Sequence, residues 1–393
     1  MGELWKALHF LCSMEFWRMG VLWTISIVMS YLQLLMRRLF SPSSSPCCSC
    51  SPPKTNCIRP VCVITGATSG LGAAAAFELS SKGFYVVLAG RSPHLLLKMV
   101  VIIAWQTMED IKSRNKDAHL KALQVDMSSS QSILKFRNSL QEWLCDSDLH
   151  SSIQLLINNA GILATSSRLT TEGYDQMLAT NYIGAFSLTT LLLPLLQNSP
   201  VPSRIVNVTS FTHRYVFDVK VDKEAVSGKY FLRSKQYPCA RIYECSKLCL
   251  LLFSYELHRQ LGMMDKPHCI SVVAADPGLA ETNIMREVPS YISRAAFMVL
   301  KCVGLLQSSN KAVRSILDAA LAPPEISGVY FFGGNGRTIN SSSLSHNTRL
   351  AAELWKTSFD LFMESQLPLD ETFTSDDKPC IIPGNTKVRL HMQ

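Results

Sequence analysis

Short apolar runs alternate with helix-length segments through the middle of the chain. Each run has four to seven residues, which suits a strand buried on both faces of a sheet. The runs are residues 61–64, 84–89, 123–126, 153–157, 204–210 and 270–275. Strands separated by helices form βαβ units, in which the strands are parallel. The pattern predicts an α/β fold with one Rossmann-type, doubly wound parallel sheet in a single domain.

A longer apolar stretch, residues 19–36, contains no charged side chain. Arg18 precedes it, and Arg37 and Arg38 follow it. As a helix it would extend about 27 Å, close to the roughly 30 Å hydrocarbon core of a bilayer, so we predict a single-pass membrane anchor. Lys and Arg are denser after the stretch than before it, which favours a cytosolic catalytic domain. A signal peptide, a transit peptide and an amphipathic or buried helix are the alternatives.

Composition divides the chain into four segments. Residues 1–40 form the anchor segment, and residues 41–57 are a linker too rich in Ser, Pro and Cys to bury a core. Residues 58–340 are the predicted catalytic domain, which ends in an edge strand near 328–334. Residues 341–393 are predicted to be a C-terminal helix and a disordered tail.

Charge and cysteine content exclude several function classes. The net charge of +8 is scattered, and no basic run is interleaved with aromatic residues, so no nucleic-acid partner is expected. The 13 cysteines have no regular spacing; Cys47 and Cys50 form one CxxC pair without a second pair. We therefore predict no metal site and a reducing compartment. Cys47, Cys48 and Cys50 are candidates for acylation, with unmodified thiols as the alternative.

The first strand runs directly into a glycine-rich turn. Residues 65–72 read Thr-Gly-Ala-Thr-Ser-Gly-Leu-Gly, and alanines follow, which favour a helix. Glycines at such a turn bring the backbone close to a pyrophosphate, and the helix N-terminus attracts the anion. The turn indicates a dinucleotide site, with a plain strand–helix turn as the alternative.

The second strand ends at Gly90 and Arg91. An acidic residue at this position binds the ribose 2′-hydroxyl of NAD, whereas an arginine attracts a 2′-phosphate. Arg91 therefore favours NADP(H) over NAD(H), and a solvated surface arginine is the alternative.

Tyr243 and Lys247 stand four positions apart in a predicted long helix, so their side chains share one face. A tyrosine is a weak base unless a nearby cation stabilises the phenolate, and Lys247 can supply that cation. Ser210, at the end of a strand, can hydrogen-bond a carbonyl or hydroxyl group of a substrate. Alone, this spacing also occurs by chance in many helices.

Several motifs occur together in one order: the glycine turn, Asn-Asn-Ala-Gly at 158–161, Asn181, Ser210, Tyr243 with Lys247, and Pro-Gly at 277–278. In this order they resemble the classical short-chain dehydrogenase/reductase family over residues 60–282. The chain is most similar to its membrane-associated members: retinol-dehydrogenase-like enzymes, the dehydrogenase/reductase member on chromosome X, and plant proteins of the chloroplast inner-envelope translocon.

The resemblance implies roles for individual residues. Tyr243 would be the general acid/base, Lys247 would bind the nicotinamide ribose, Ser210 would orient the substrate, and Asn181 would hold a water through a local distortion of its helix. The predicted cofactor contacts are Thr65, Gly66, Ser69, Gly70, Leu71, Gly72, Arg91, Asp126, Asn158, Ala160, Gly161, Tyr243, Lys247, Pro277, Gly278 and Thr282. No catalytic metal is implied.

Three features depart from the family pattern. Ser210 and Tyr243 lie 33 positions apart, so an inserted loop at about 211–236 is predicted to rim the site. Residue 69 is Ser where many NADP-dependent members carry a basic residue. Residues 99–107 lack polar positions, which suggests an insertion after which the regular helix resumes at Met108.

The sequence thus favours an NADP(H)-dependent oxidoreductase that interconverts an alcohol and a carbonyl. The apolar segment 295–306 suits contact with a membrane surface or a lipophilic substrate such as a retinoid, steroid, polyisoprenoid or fatty aldehyde, and a plain core helix is the alternative. The alternatives are a dinucleotide-binding sensor or assembly component at a membrane, without turnover, and, ranked last, an epimerase or dehydratase acting on nucleotide sugars. We expect the endoplasmic reticulum, with the plastid envelope as the alternative, and pairing into a homodimer is an open prediction. His213, near Ser210, is expected to be an ordinary loop histidine, because no nucleophile elbow accompanies it.

Overall fold

A computed structural model describes residues 12–40, 59–91, 97–147, 149–263 and 270–366, with side chains from residue 106 onward in the third range. The predicted linker, its acylation sites Cys47, Cys48 and Cys50, and the predicted tail lie outside the described residues.

Seven strands form one sheet in which every neighbouring pair is parallel. The strands are β1 Val61–Thr65, β2 Tyr85–Gly90, β3 His119–Gln124, β4 Leu155–Asn158, β5 Ser203–Val208, β6 Ile270–Asp276 and β7 Val329–Phe332. Their spatial order is β3-β2-β1-β4-β5-β6-β7. The order reverses between β1 and β4, which opens a crevice at the carboxyl ends of the strands. The predicted doubly wound fold is confirmed.

Helices cover both faces of the sheet. They are α1 Met14–Phe40, α2 Gly70–Ser81, α3 Leu97–Arg114, α4 Ser130–Asp146, α5 Gln176–Gln197, α6 Lys223–Val226, α7 Cys239–Gly262, α8 Ser290–Cys302, α9 Ser309–Ala312, α10 Arg314–Ala320 and α11 Thr348–Gln366. Short 3-10 turns lie at Phe211–Tyr215, Lys229–Arg233, Asn283–Met285 and Ser343–His346. One core holds Ala75, Ile111 and Ile316 on one face, and a second core holds Phe186 and Phe253 on the other.

Strand β3 begins four residues earlier than predicted. It covers His119–Gln124, whereas the apolar pattern placed a strand at 123–126. Because β3 is an edge strand, only part of it needs to be buried: Leu120 is buried and His119 is exposed. An edge strand therefore tolerates polar residues, and a prediction based on apolar runs does not recognise the part of the strand that contains them.

The predicted break in the helix at 99–107 is wrong. Helix α3 runs without interruption through this segment, so the regular helix does not begin again at Met108. The β-branched residues of this segment weaken a helix only slightly, so the lack of polar positions misplaced the helix boundary.

Helix α11 packs on the same core as the rest of the domain. Trp355 stacks on Phe253 with 5.9 Å between ring centroids and meets Phe186 edge-on at 5.5 Å. The Tyr182 and Ser358 hydroxyls lie 2.6 Å apart. The folded unit therefore continues past residue 340, where the sequence suggested that it would end.

Helix α1 lies against the domain along one face. It includes a π-helical turn, Arg18–Leu22, and it is longer at both ends than the predicted 19–36. By length and composition α1 and α5 could cross a membrane, but α5 is mostly buried in the core, whereas most of α1 is not. The outer face of α1 exposes Val21, Ile25, Val28, Met29, Leu32, Leu35, Met36, Leu39 and Phe40.

Candidate active site

A cavity of about 1160 Å³ opens at the carboxyl ends of the strands. Its floor is the turn from β1 into α2. Gly66 and Gly70 have φ angles of +65° and +55°, which L side chains rarely adopt. A Cβ on Gly66 would lie 3.0 Å from the Ala160 Cα, so this turn must be bare backbone. The N-terminus of α2 faces the cavity, as the sequence predicts.

Most predicted cofactor residues line this cavity. They are Gly66, Ser69, Gly70, Leu71, Arg91, Asp126, Ala160, Gly161, Tyr243, Lys247, Pro277, Gly278 and Thr282. These residues come from six separate loops or helices, and the fold brings them to one edge of the sheet.

Thr65 and Gly72 support the turn from behind the cavity wall. The Thr65 hydroxyl accepts hydrogen bonds from the Asn159 and Ala160 amides, each at 3.0 Å. A Cβ on Gly72 would lie 2.3 Å from the Gly66 carbonyl oxygen, so Gly72 lets α2 pack against the loop. Both residues shape the site without facing it.

Asn158 and Asn159 also differ in position. The Asn158 amide group donates to the Thr189 hydroxyl at 2.9 Å and to Asn207 Oδ1 at 2.8 Å, in the interior behind the cavity. Asn159 lines the cavity, and its amide group donates to the Thr65 carbonyl at 2.9 Å. The resemblance assigned the whole motif at 158–161 to the cofactor, and in the structure residues 159–161 of it line the cavity whereas Asn158 points away.

Ser210, Tyr243 and Lys247 line the cavity together. The Ser210 hydroxyl lies beside the Tyr243 hydroxyl and lowers its pKa. Lys247 Nζ lies 5.7 Å from the Tyr243 ring centroid and donates to the Val208 carbonyl at 3.0 Å. Four residues along α7 make one helical turn, which places the tyrosine and the lysine on the cavity side together.

Burial controls the titration of this group. Desolvation raises the pKa of Tyr243, the Asp276 carboxylate raises it further, and the Ser210 hydrogen bond lowers it. Desolvation also lowers the pKa of Lys247 to about 8, against the opposing charge of Asp276. The sequence suggested that Lys247 would stabilise the phenolate of Tyr243; in the structure burial has the larger effect and raises the pKa, so the hydroxyl is protonated at neutral pH.

Asn181 lies behind the wall on a π-helical turn, Ala179–Ile183. The helix therefore contains a local distortion at this residue. Asn181 Oδ1 accepts from the Ile162 amide at 2.8 Å, and its amide group donates to the Ile162 carbonyl at 3.0 Å. A Cβ on Gly161 would lie 3.5 Å from both Asn181 Oδ1 and Lys247 Nζ. Asn181 thus fixes the loop that passes beside Lys247.

Two buried titratable groups beside the site were not predicted. Asp276, the last residue of β6, accepts from the Tyr330 hydroxyl at 2.5 Å and from the Gly278 amide at 2.7 Å. Burial raises the pKa of Asp276 to about 6. His213 is fully buried and packs between the Ser210 carbonyl and the Ser342 amide. Sequence reasoning read it as a loop histidine, whereas it lies in a buried 3-10 turn.

Arg286 is a further cation that sequence reasoning missed. It lines the same cavity as Arg91. Burial lowers the pKa of Arg286, and the positive charge of Arg91 adds to this effect. Two guanidinium groups that line one cavity and repel each other are suited to bind an anion between them. No sequence motif marks Arg286, since it reaches the cavity only through the fold.

The predicted inserted loop contributes little to the rim. Of residues 211–236, only Phe211 and Thr212 line the cavity. The remainder packs on the domain, where Gly228 lies against Asp175. Instead, α8 and α1 cover the opening, through Tyr291, Ile292, Ala295, Ala296, Phe297, Val299 and Leu300 on α8 and Phe16, Met19, Gly20, Trp23 and Thr24 on α1.

Comparisons with known proteins agree with this geometry. Residues 60–220 match the short chain dehydrogenase family. The chain is 31% identical to the Arabidopsis thaliana dehydrogenase/reductase SDR family member FEY over 79% of each chain. It is 30% identical to human polyprenol dehydrogenase over 77% of this chain and 84% of that protein. A crystal structure of a Mycobacterium paratuberculosis protein matches with a TM-score of 0.57 and 27% identity, over 78% of this chain and 94% of that one.

Proposed function

The chain belongs to the short-chain dehydrogenase/reductase family of oxidoreductases, which act on CH–OH and C=O groups, and from this premise we propose that it reduces a lipophilic carbonyl, or oxidises the matching alcohol, with NADP(H). The observation that carries the proposal is the Ser210–Tyr243–Lys247 cluster, which lines the same cavity as the glycine-rich turn.

The cavity suits a nicotinamide dinucleotide. The bare turn at Gly66 and Gly70 leaves room for a pyrophosphate beside the N-terminus of α2, whose free amides attract anions. Arg91 and Arg286 supply positive charge on the same wall, which supports a 2′-phosphate and hence NADP(H). When bound, this cofactor donates or accepts the hydride.

Tyr243 supplies the proton for carbonyl reduction. Because burial raises the pKa of Tyr243, the hydroxyl holds its proton at neutral pH and can donate it to a carbonyl oxygen as that oxygen gains charge. The Ser210 hydroxyl, which lies beside Tyr243, can turn its single proton to the same oxygen and donate a second hydrogen bond to it. Lys247 holds a positive charge nearby below about pH 8 and stabilises the tyrosinate that remains. This arrangement favours carbonyl reduction.

The substrate is proposed to be apolar. Helices α8 and α1 contribute mainly aliphatic and aromatic side chains to the cavity wall, including Phe297, Leu300 and Trp23. Such a wall excludes water and favours long hydrocarbon substrates. The relative named polyprenol dehydrogenase is consistent with a substrate of this class.

We also propose that α1 binds a membrane and leaves the catalytic domain in the cytosol. Its outer face is apolar, and α8 beside it exposes Met298 and Val299, so both could enter a lipid surface. The inner face of α1 is held by the domain, and a single-pass crossing would require it to give up those contacts. The endoplasmic reticulum remains our proposed location, with the plastid envelope as the alternative.

The test uses the full chain in detergent or nanodiscs with NADPH, NADH and a panel of lipophilic aldehydes and alcohols. Turnover should require NADPH and disappear in Tyr243→Phe, because the variant has no proton to donate. Tyr255→Phe is the matched control on the same helix, since Tyr255 bonds to Ser341 away from the cavity. Cofactor binding without turnover, and indifference to Tyr243→Phe, would instead indicate a dinucleotide sensor.

Cofactor preference is tested separately. Arg91→Ala and Arg286→Ala should weaken NADPH binding about 10-fold or more, the scale of a lost charged hydrogen bond, and leave NADH binding unchanged. Arg137→Ala, a surface arginine on α4, is the control. Equal losses for both cofactors would contradict the proposed 2′-phosphate site.

A further inference from the structure

Helix α1 makes polar contacts with the helix that carries Tyr243. Glu15 Oε2 accepts a hydrogen bond from the Ala240 amide at 2.7 Å, in the first turn of α7. Arg18 Nε donates to both carboxylate oxygens of Glu244, at 2.9 and 3.0 Å, and the Trp23 indole donates to Glu244 Oε1 at 2.8 Å. A helix that served only as a tether would need none of these contacts.

The Glu244 carboxylate depends on α1 for its partners. Its side chain is completely buried, and in the described part of the chain its hydrogen-bond donors, Arg18 and Trp23, both belong to α1. A buried carboxylate without a cation is strongly unfavourable. Glu244 therefore ties the position of α7 to the position of α1.

The same contacts reach the catalytic cluster. Glu244 follows Tyr243 directly, and the Trp23 ring lies 5.5 Å from the Tyr243 ring, centroid to centroid, tilted by 41°. The Ser26 hydroxyl donates to the Phe211 carbonyl at 2.8 Å, one residue beyond Ser210. Helix α1 thus borders both the proposed proton donor and its serine partner.

We propose that α1 forms part of the active-site wall and holds the catalytic tyrosine in place. In this proposal Arg18, Glu244 and Trp23 are positioning residues for Tyr243. This inference rests on the proposed function, in which Tyr243 is the acid/base. Arg18 neutralises Glu244, Glu244 orients the indole of Trp23, and Trp23 packs against the Tyr243 ring. Loss of the ion pair frees the indole, and the phenol then loses the alignment needed for proton transfer.

A second docking contact supplies the matched control. At the far end of α1, Arg37 donates to the Thr338 carbonyl at 2.7 Å and to Asn340 Oδ1 at 2.8 Å. Neither of these partners lines the cavity. Arg37→Met removes an arginine contact between α1 and the domain without touching the α7 contacts.

The experiment compares Arg18→Met, Glu244→Gln, the double variant, Arg18→Lys and Arg37→Met in the full chain. Arg18→Met and Glu244→Gln should lower kcat about 10- to 100-fold, the scale of a misplaced catalytic group, with the KM for cofactor unchanged. The pH profile attributed to Tyr243 should shift. The double variant should be no worse than Arg18→Met, Arg18→Lys should recover part of kcat, and Arg37→Met should match wild type.

Hydrogen exchange at the Ala240 amide gives a readout that does not depend on turnover. It should become faster in Arg18→Met and stay unchanged in Arg37→Met. Wild-type kcat and pH profile in Arg18→Met, or equal losses of kcat in Arg18→Met and Arg37→Met, would overturn the inference. Absence of turnover in the wild type would instead refute the proposed function, and the exchange rates would still decide whether α1 holds α7.

Discussion

The buried imidazole of His213 should make the stability of the protein depend on pH in a defined direction. His213 Nε2 accepts from the Ser342 amide at 3.1 Å, so Nδ1 carries the proton and donates to the Ser210 carbonyl at 2.6 Å. Both ring nitrogens are used by the neutral form. Desolvation lowers the pKa of His213 to about 3, and the charge of Arg214 adds to this.

The sign and size follow from proton linkage. In the unfolded chain the His213 imidazole gains a proton near pH 6.5, whereas in the folded chain it does so only near pH 3. The unfolded state therefore binds more protons between these values, and the stabilising contribution is complete above about pH 6.5 and is lost as the pH falls. One proton corresponds to about 1.4 kcal/mol per pH unit, so acidification from pH 6.5 to 5 removes about 2 kcal/mol from the free energy of unfolding.

Asp276 acts in the opposite direction over an overlapping range. Burial raises the pKa of Asp276 to about 6, so its contribution to stability is complete below about pH 4 and is lost as the pH rises through 6. The slope of the wild-type protein alone therefore mixes two effects. The difference between the wild type and a His213 variant separates them.

The assay is urea unfolding of the full chain at several pH values between 5 and 7, for wild type, His213→Gln and His119→Gln. His119 is the control because it lies exposed on an edge strand. The destabilisation caused by His213→Gln should be largest at pH 7 and about 2 kcal/mol smaller at pH 5. A difference that stays constant with pH would refute the reasoning.

Three further predictions follow from packing and charge. Gly72→Ala should destabilise the protein by about 1–3 kcal/mol in a thermal melt, because its Cβ would lie 2.3 Å from a backbone oxygen, whereas Gly262→Ala, with open space around it, should not. Trp355→Ala should cost about 3 kcal/mol in urea unfolding, because α11 packs on the core, and a loss below about 0.5 kcal/mol would show that it does not. Because burial lowers the pKa of Lys247 to about 8, dinucleotide affinity measured from pH 7 to 9 should fall through pH 8, and it should stay level in Lys247→Arg.

The sequence predicted the parts of the site that are local. The turn with Gly66 and Gly70 is specified by residues adjacent in the chain, and Tyr243 and Lys247 are related by one turn of a helix. Spacing rules carry this information directly. The fold class follows for a similar reason, since apolar runs between helical segments allow few arrangements other than a parallel sheet.

Other parts of the site depend on which way a side chain points or on distant packing. A strand end offers two neighbouring asparagines, and only the geometry shows that Asn159, rather than Asn158, faces the cavity. Arg286 reaches the cavity from a segment without a motif. The pKa of Tyr243 depends on burial and on Asp276, neither of which a Tyr-x-x-x-Lys spacing reports.

The prediction for helix α1 differs most from the structure: the hydropathy pattern predicted a membrane span, whereas one face of the helix packs on the domain. Hydropathy averages over the whole circumference, so a helix with one face on a protein and another face exposed reads the same as a helix surrounded by lipid. Arg18 reads as a flanking charge that sets topology, yet it pairs with Glu244, 226 positions away. Since a buried carboxylate without Arg18 would be costly, docking of α1 and burial of Glu244 depend on each other. Any force that pulls α1 into a membrane therefore also acts on the helix that carries Tyr243.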